Sequence, residues 1–155
     1  MSKVVVFPGS FDPFTKGHEE IVNRGLELFD KVIIAIGENS QKKYLFSRES
    51  RIEHIRSIFT DKNDVEIKSF SGLTVDFVKA ENTNLILRGL RNSSDFNFER
   101  TIAQMNHAIK DVESIFLMTN PELSAINSSV IRDIKKNGGD ISQFVTNDQL
   151  LAYSK

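Results

Sequence analysis

A short segment near the N-terminus has the residue types and spacing of a phosphate-binding site. Gly9-Ser10-Phe11-Asp12-Pro13 is followed, after one residue, by Thr15-Lys16-Gly17-His18. Glycine in such a loop lets a ligand approach the backbone because it has no Cβ atom. If a helix begins at Thr15, its unpaired N–H groups and its dipole also favour an anion there. The segment indicates a phosphate-binding loop, and it leaves open whether His18 takes part in chemistry or is a capping or solvated residue of the first turn.

The chain contains five apolar segments that we expect to be strands, the first of them at residues 4–6. More cationic and hydroxyl side chains occur where the later segments end. They are Lys42 after the second segment, Thr74 after the third, Arg88 and Arg91 at the fourth, and Ser128 and Ser129 after the fifth. Each alone has an ordinary explanation, since a loop lysine is usually solvated and an arginine often pairs with a carboxylate. In an open parallel sheet, however, ligands bind beyond the carboxyl ends of the strands. Such groups at successive strand ends, in a chain with a net charge of −1, indicate a site for more than one phosphate.

The elements that must position these groups begin with a strand at residues 4–6. Three β-branched residues in a row are typical of a strand buried on both faces. Pro8 removes a backbone donor, so we expect the strand to end there. A helix follows, with Thr15 as its N-cap and His18 in its first turn. One face of that helix carries His18, Val22, Gly25 and Phe29.

The rest of the chain alternates apolar strands with amphipathic helices. Further strands are predicted at residues 31–37, 65–70, 85–87 and 114–118. Ser47, Asp95, Ser128 and Thr146 are the predicted N-caps of later helices, and a short helix is predicted through Thr74. In the helix after Asp95, we expect the core-facing stripe to be Phe98, Ile102, Met105 and Ile109. The alternation predicts a single doubly wound, Rossmann-like α/β domain over residues 1–155, with a five-stranded, mainly parallel sheet.

The composition is that of one globular domain. A chain of 155 residues with 39% hydrophobic and 26% charged residues can bury one core. Its net charge of −1 gives no general attraction to nucleic acid or membrane. The absence of cysteine excludes disulfides, thiolate catalysis and cysteine zinc sites, and agrees with a reducing compartment. No apolar run approaches membrane-spanning length, so we expect a cytoplasmic protein that binds neither nucleic acid nor membrane.

Two later segments add detail to the predicted phosphate site. In Leu87-Arg88-Gly89-Leu90-Arg91, we expect Gly89 to allow a tight turn flanked by two guanidinium groups, each able to bind phosphate through two bonds. Glu99 follows Phe98 and so points away from the expected core stripe, where it is either a solvated carboxylate or a site residue. Ser128 is compatible with a helix cap and with nucleotide binding.

Together these segments resemble the nucleotidylyltransferase superfamily and, within it, the bacterial phosphopantetheine adenylyltransferases. The first motif is similar to the family signature, with Ser10 where the family often has threonine. The Arg-Gly-Leu-Arg of residues 88–91 matches the family segment at the corresponding place. Phe96-Asn97-Phe98-Glu99 resembles the family's Phe-x-Tyr-Glu, and Ala125-Ile126-Asn127-Ser128-Ser129 followed by Arg132 resembles its Ile-Ser-Ser-Ser/Thr, with Asn127 replacing a serine.

The resemblance implies a reaction and a set of site residues. The reaction is transfer of AMP from ATP to the phosphate of 4′-phosphopantetheine, giving dephospho-coenzyme A and pyrophosphate. His18 is implied to be catalytic, as a donor to the charge that builds on a five-coordinate phosphorus. The residues implied to bind phosphopantetheine are Ser10, Lys42, Thr74 and Arg88. Those implied to bind ATP are Ser10, Phe11, His18, Gly89, Leu90, Arg91, Glu99, Leu123, Ser124, Ala125, Ile126, Asn127, Ser128 and Ser129.

The resemblance also implies a cofactor, an assembly and an inhibitor. Mg²⁺ is expected to accompany ATP, held mainly by phosphates and water, because the sequence shows no carboxylate cluster with metal-ligand spacing. Members of the family form hexamers, so a homohexamer is expected. Coenzyme A is expected as a feedback inhibitor.

Two other functions are compatible with the same fold. The first motif also serves transfer of AMP or CMP to nicotinamide mononucleotide or glycerol phosphate, although the Arg-Gly-Leu-Arg segment argues against both. A non-catalytic nucleotide-binding or flavin-binding module would share the architecture, since a fold alone does not fix function.

Overall fold

Five strands form the sheet at the centre of residues 2–155, the part of the chain described in this computed structural model. They are β1 (Val4–Gly9), β2 (Lys31–Glu38), β3 (Val65–Ser71), β4 (Leu85–Leu90) and β5 (Glu113–Met118). Their order is β3-β2-β1-β4-β5, and every neighbouring pair is parallel. The chain proceeds from β1 toward one edge and from β4 toward the other, so the strand order reverses between β1 and β4. Ligands of open α/β sheets bind at such a switch point.

Helices cover both faces of this sheet. They are α1 (Lys16–Leu28), α2 (Arg48–Ile58), α3 (Thr74–Ala80) and α4 (Ser93–Lys110). A fifth helix, α5 (Ser128–Lys136), packs through Ile131 against Phe46, Ile141 and Val145 in a separate cluster. On one face Val22 of α1 and Ile55 of α2 share a core with Val5 of β1. On the other face Val78 of α3 shares a core with Val6. Because successive strand residues point to opposite faces, both sides of β1 are buried, and the predicted doubly wound sheet is confirmed.

The sheet continues past the proline that was expected to end its first strand. Pro8 lies within β1 and is paired with Ala35 of β2. Its carbonyl accepts a hydrogen bond from Arg88 of β4, and the N–H and C=O of one residue in a parallel strand point to the same neighbour. The missing N–H of Pro8 therefore faces β4, so the ladder with β2 is kept.

Gly89 lies inside β4 and not in a tight turn. It is paired with Leu117 of β5. A Cβ atom at position 89 would lie 3.0 Å from Cγ1 of Ile21, which is buried in α1. The absence of a side chain at position 89 is therefore explained by the close approach of α1, and the expected turn is wrong.

Two of the predicted helix caps are confirmed and two lie elsewhere. The side chains of Thr15 and Ser47 cap α1 and α2. The cap of α4 is Asn92 and not Asp95, because the Asn92 amide oxygen accepts from the Asp95 N–H at 2.9 Å. The cap of α5 is Asn127, one residue before the predicted Ser128. In both corrected cases an asparagine oxygen takes the backbone donors.

The predicted helix after Thr146 does not form. Only a 3₁₀ turn, Asp148–Leu150, is present there, and Asn147 before it has a left-handed φ of 55° and makes no side-chain cap. The Thr146 hydroxyl donates to Glu19 of α1 at 2.7 Å. The Thr146 carbonyl lies 2.7 Å from the buried ring of His54. These tertiary contacts and the left-handed backbone at Asn147 go with a short turn at this place, and the predicted helix is wrong.

The face of α4 that carries the predicted core stripe is turned outward. Phe98, Met105 and Ile109 are 67%, 57% and 51% exposed, and Ile102 is 39% exposed. Glu99 instead is 8% exposed, so the solvated-carboxylate alternative is wrong for this residue. The helix is rotated to bring Glu99 to Arg88, with which it makes two hydrogen bonds. The expected core-facing stripe is therefore wrong.

No helix within residues 2–155 combines the length and the apolar character needed to cross a bilayer.

Candidate active site

Two adjoining cavities lie at the carboxyl ends of β1 and β4. We call them the His18 cavity, with a volume of about 430 Å³, and the Thr74 cavity, with a volume of about 460 Å³. The His18 cavity extends toward the N-terminus of α5, and the Thr74 cavity extends between α3 and α4. Both are bounded by the same residues where they meet, and we call this set the shared wall: Pro8, Gly9, Ser10, Lys42, Arg88 and Glu99.

The His18 ring is fixed by its own helix cap. The backbone N–H of Thr15 donates to Nδ1 of His18 at 3.0 Å, and the Thr15 hydroxyl lies 3.2 Å from the same atom. In return the His18 N–H donates to the Thr15 hydroxyl oxygen at 3.3 Å. Because Nδ1 accepts the Thr15 backbone bond, the ring proton of the neutral imidazole is on Nε2. His18 therefore offers Nε2–H as its donor.

The surroundings of His18 keep its ring uncharged. Phe11 and Phe14 lie with ring centroids 5.1 and 5.3 Å from the imidazole, and Phe7 lies at 6.1 Å. Burial, which is the largest cause, and the positive charges of Arg88 and Arg91 together lower the pKa of His18 from 6.5 to about 3. The residue is part-buried and lines the His18 cavity. At neutral pH His18 is a neutral hydrogen-bond donor.

Arg88 and Glu99 form a two-bond ion pair in the shared wall. Nε of Arg88 donates to Oε2 of Glu99 at 3.0 Å, and Nη2 donates to Oε1 at 2.6 Å. Nη1 donates to the Pro8 carbonyl. A guanidinium has five N–H bonds, so one on Nη1 and one on Nη2 remain without an acceptor within residues 2–155. Arg88 is held in place by Glu99 and can still donate to an anion.

Arg91 is held in the same way on the His18 side. Nε and Nη2 donate to the two carboxylate oxygens of Asp95 at 3.0 and 3.2 Å, and Nη1 donates to the carbonyl of Ile126 at 3.2 Å. Partial burial raises the pKa of Asp95, but its hydrogen bonds with the side chain and backbone N–H of Arg91 outweigh this and hold the pKa below its usual value. The pair stays ionised and links β4 to the segment before α5.

Asp12 of the first motif serves the structure and not the chemistry. Its carboxylate is buried and accepts from the backbone N–H groups of Leu45 at 2.8 Å and Phe46 at 3.0 Å. Those residues follow the loop that carries Lys42. The motif aspartate therefore joins the glycine-bearing loop to the Lys42 loop.

The N-terminus of α5 reaches the His18 cavity with fewer donors than the sequence suggested. Asn127 accepts from the N–H groups of Ser129 at 2.8 Å and Val130 at 3.3 Å. The Ser128 hydroxyl donates to the Pro13 carbonyl at 3.0 Å. The asparagine that replaces a serine of the family pattern thus occupies backbone donors that an anion would otherwise meet.

Most of the predicted site residues line the two cavities. Those around the His18 cavity are Ser10, Phe11, His18, Lys42, Arg88, Gly89, Arg91, Glu99, Leu123, Ile126, Asn127, Ser128 and Ser129. Thr74 lines the Thr74 cavity together with Ser10, Lys42 and Arg88. Leu90, Ser124 and Ala125 line neither cavity. Leu90 is buried in the sheet, the Ser124 hydroxyl donates to the Pro121 carbonyl at 2.8 Å, and Ala125 is exposed.

Arg132 is a cavity residue that the predicted site did not include. It lines the His18 cavity from the second turn of α5. Nη1 donates to the Asp12 carbonyl at 2.9 Å, and Nη2 donates to the Ser129 hydroxyl at 3.0 Å. Its position four residues after Ser128 places it one helical turn behind the first helical residue. That spacing was the signal available in the sequence.

The acidic side chains of the site do not form a ready metal cage. Asp95 and Glu99 line the His18 cavity, but both accept hydrogen bonds from arginines. Within residues 2–155 there is no group of three or more His, Asp or Glu side chains able to hold a metal ion.

Known proteins resemble this chain in sequence and in fold. The cytidylyltransferase-like family model matches residues 6–134. A phosphopantetheine adenylyltransferase of Cytophaga hutchinsonii is 53% identical over 146 residues, covering 94% of this chain and 97% of that protein. A phosphopantetheine adenylyltransferase of Flavobacterium psychrophilum is 49% identical over 140 residues, covering 90% of this chain and 93% of that protein.

A solved structure with a similar fold is a bifunctional NMN adenylyltransferase/ADP ribose pyrophosphatase from Francisella tularensis. It superposes with a TM-score of 0.71 at 23% identity. The match covers 98% of this chain, which spans 47% of that chain. At this identity the likeness shows a shared fold alone.

Proposed function

The chain belongs to the phosphopantetheine adenylyltransferase family, and from this premise we propose which parts of its two cavities carry out the reaction. The enzyme transfers the adenylyl group of ATP to the phosphate of 4′-phosphopantetheine, giving dephospho-coenzyme A and pyrophosphate in coenzyme A biosynthesis. ATP occupies the His18 cavity and phosphopantetheine occupies the Thr74 cavity. Their reacting phosphates meet at the shared wall.

The observation that carries this assignment is the shared wall itself. A reaction between two phosphate groups needs two ligand sites that touch, with cations at the point of contact. Lys42 and Arg88 lie there, and Ser10 adds a hydroxyl. Lys42 has an exposed side chain, and Arg88 has two N–H bonds to spare. Both can compensate the charge of two anions that would otherwise repel each other.

The residues that line the two cavities support the same assignment of ATP and phosphopantetheine. The Thr74 cavity has an apolar side formed by Phe70, Leu73, Ile102 and Ile109, with Asn106 as a polar group. Such a lining suits an extended, partly apolar chain like pantetheine. The His18 cavity adds Arg91 and Arg132 to the cations of the shared wall. A triphosphate has more charge to compensate than a phosphate monoester, so it fits this cavity.

The reaction needs no nucleophile from the protein. An oxygen of the phosphopantetheine phosphate forms a bond to the α-phosphorus of ATP, and the bond from that phosphorus to the oxygen bridging to the β-phosphate breaks. Pyrophosphate leaves with the electron pair of the broken bond. Negative charge spreads over the oxygens of the five-coordinate phosphorus in the transition state. The protein therefore has to orient the two phosphates and stabilise that charge.

His18 stabilises that charge as a neutral donor. Its Nε2–H donates to an α-phosphate oxygen, while Thr15 holds the opposite side of the ring. A donor fixed before the reaction costs no reorganisation when charge develops. Because burial and two arginines keep the imidazole neutral, it need not lose or gain a proton during the reaction.

Magnesium enters the site as part of its substrate, MgATP. The carboxylates of the His18 cavity are bound to Arg88 and Arg91, so phosphate oxygens and water supply the metal ligands. The ion compensates charge on the phosphates of the nucleotide. The roles of the chain's own residues are those described above.

The assembly, location and regulation are carried over from the family. The enzyme is a cytoplasmic homohexamer, and coenzyme A, which shares its phosphopantetheine part with the substrate, inhibits it. The outward stripe of α4 supports self-association, because Phe98 and Met105 are more than half exposed and such apolar surface is costly in water. Sedimentation of the purified protein measures the subunit number.

Turnover with ATP and a panel of phosphate monoesters tests this function. We expect pyrophosphate release with 4′-phosphopantetheine, and release at least about 100-fold slower with nicotinamide mononucleotide or glycerol phosphate, which leave the Thr74 cavity unfilled. A nucleotide-binding module without catalysis would bind ATP and release no pyrophosphate with any acceptor. That result would overturn the proposal.

A further inference from the structure

Arg51 is a buried cation that lines neither cavity. It lies in the first turns of α2, is 1% exposed, and uses all three guanidinium nitrogens. Nη1 donates to the Ser10 carbonyl at 2.6 Å, Nε to the Phe46 carbonyl at 3.1 Å, and Nη2 to Oε1 of Glu38 at 3.1 Å. Its guanidinium carbon lies 4.3 Å from the centre of the Tyr44 ring. A charge is costly to bury, and here it is placed where four separate backbone and side-chain groups meet.

These contacts enclose the loop that carries Lys42. Glu38 ends β2 on one side of the loop, and Tyr44 stands on the other side. The Tyr44 hydroxyl accepts from the Asn39 N–H at 3.0 Å, which draws the two ends of the loop together. Nζ of Lys42 lies 5.6 Å from the centre of the same Tyr44 ring. Arg51 thus contacts both ends of the loop but does not touch Lys42.

The hydrogen bond from Arg51 to Ser10 connects α2 to the N-terminal segment of residues 9–18. The Ser10 carbonyl accepts from Nη1, and Ser10 is a residue of the shared wall. Ser10 and Lys42 are far apart in the chain, and both are proposed to hold the phosphopantetheine phosphate. One guanidinium therefore spans the distance between the two loops that supply them.

We propose that Arg51 is a positioning residue for phosphopantetheine, setting the place of the Lys42 loop relative to Ser10. The inference rests on the proposed function of the shared wall. The rigid fork of arginine is needed because its three nitrogens donate in three directions at once. A lysine at position 51 keeps the charge, but its three N–H bonds all start from one nitrogen, so they cannot reproduce the spread of donors that binds Ser10, Phe46 and Glu38.

The variant Arg51→Lys tests the proposal against the matched control Arg56→Lys. Arg56 lies on the same helix, and its ion pair with Glu53 is exposed, so the same exchange should change no kinetic constant by more than about twofold. For Arg51→Lys we expect the KM for phosphopantetheine to rise about tenfold or more and the KM for ATP to rise less than about threefold. Melting temperatures of all variants are measured in parallel. Equal rises in both KM values, or no rise, would overturn the proposal.

A double-mutant cycle with Lys42→Ala separates positioning from a purely structural role. If Arg51 acts through the Lys42 loop, Arg51→Lys should raise the KM for phosphopantetheine by less than about twofold once Lys42 is gone. A residue that only stabilises the fold would give the same factor in both backgrounds. That outcome would overturn the proposal.

A second variant covers the case in which Arg51→Lys does not fold. Glu38→Ala removes one partner of Arg51 at a partly exposed position and should raise the KM for phosphopantetheine more than that for ATP. An unchanged KM would overturn the proposal. Failure of the proposed function is distinguishable, because the wild-type chain would then release no pyrophosphate, whereas an active wild type with an unaffected Arg51→Lys refutes only the role of Arg51.

Discussion

Replacing His18 by alanine removes the donor on which the proposed chemistry depends. The ring offers one N–H bond to the reacting phosphate, because its other nitrogen accepts from Thr15. Removing one fixed donor to a developing anion costs about 2.7 to 4 kcal/mol in the activation barrier, or roughly 10²- to 10³-fold in kcat. In the proposed site, arginines and not His18 bind the charge of ground-state ATP. We therefore expect ATP affinity to change no more than about threefold while turnover collapses.

His18→Ala also lowers the stability of the fold, and the loss in free energy of unfolding can be compared with the loss of activity. Thr15 is buried, and its N–H loses its acceptor in the variant. A buried donor left unpaired costs about 1 to 3 kcal/mol of the free energy of unfolding. The cap of α1 itself persists, because the backbone N–H at position 18 still donates to the Thr15 hydroxyl. The variant should therefore fold with reduced stability.

Pyrophosphate release at saturating substrates measures kcat, and calorimetry measures ATP affinity. Thr15→Ala is the matched control, since it deletes the cap hydroxyl at a cost of about 1 kcal/mol in stability and leaves the ring N–H of His18 in place. We expect this control to lose less than about tenfold in kcat. A His18→Ala enzyme with kcat within about fivefold of wild type, or a Thr15→Ala enzyme as impaired as His18→Ala, would refute the assigned role.

Three further outcomes are expected. Burial lowers the pKa values of His18 and His54, so below pH 6.5 the unfolded chain binds protons that the folded chain does not. The free energy of unfolding should therefore fall from pH 7 to pH 5, by about 2 kcal/mol from His18 alone. An unchanged urea midpoint over this pH range would contradict this expectation. Gly89→Ala should cost about 1 to 3 kcal/mol of stability, since the new methyl group meets Ile21 at 3.0 Å; urea unfolding without that loss would show that α1 can move. Arg132→Ala should weaken ATP binding about tenfold or more through loss of a charge-assisted contact; calorimetry that finds unchanged affinity would remove Arg132 from the site.

The sheet and the first motif could be predicted because their signals are local. Continuous β-branched and aliphatic runs mark the buried strands, and the spacing of Thr15 and His18 places the imidazole in a helix first turn. Strand ends that alternate with helices then bring Lys42 and Arg88 to one edge of the sheet. These inferences need only periodicity and the rule that ligands bind at carboxyl ends.

Other features could not be predicted because they depend on residues distant in the chain. Glu99 is buried because Arg88 of β4 lies beside it, and this pairing overrides the apolar periodicity of α4. The local sequence around Gly89 predicts a turn, and its neighbour in space, Ile21, cannot be known from that sequence. Arg51 has the spacing of an ordinary helix residue, and only the fold shows that four groups converge on it.

The shared wall also affects product release. Dephospho-coenzyme A joins the adenylyl half to the phosphopantetheine half, so in the proposed arrangement a single product molecule extends from one cavity into the other. Each half keeps its neighbour at high local concentration, and detachment requires both to leave together. A rigid compound that spans the shared wall and occupies both cavities would also dissociate slowly, and it would not be a substrate.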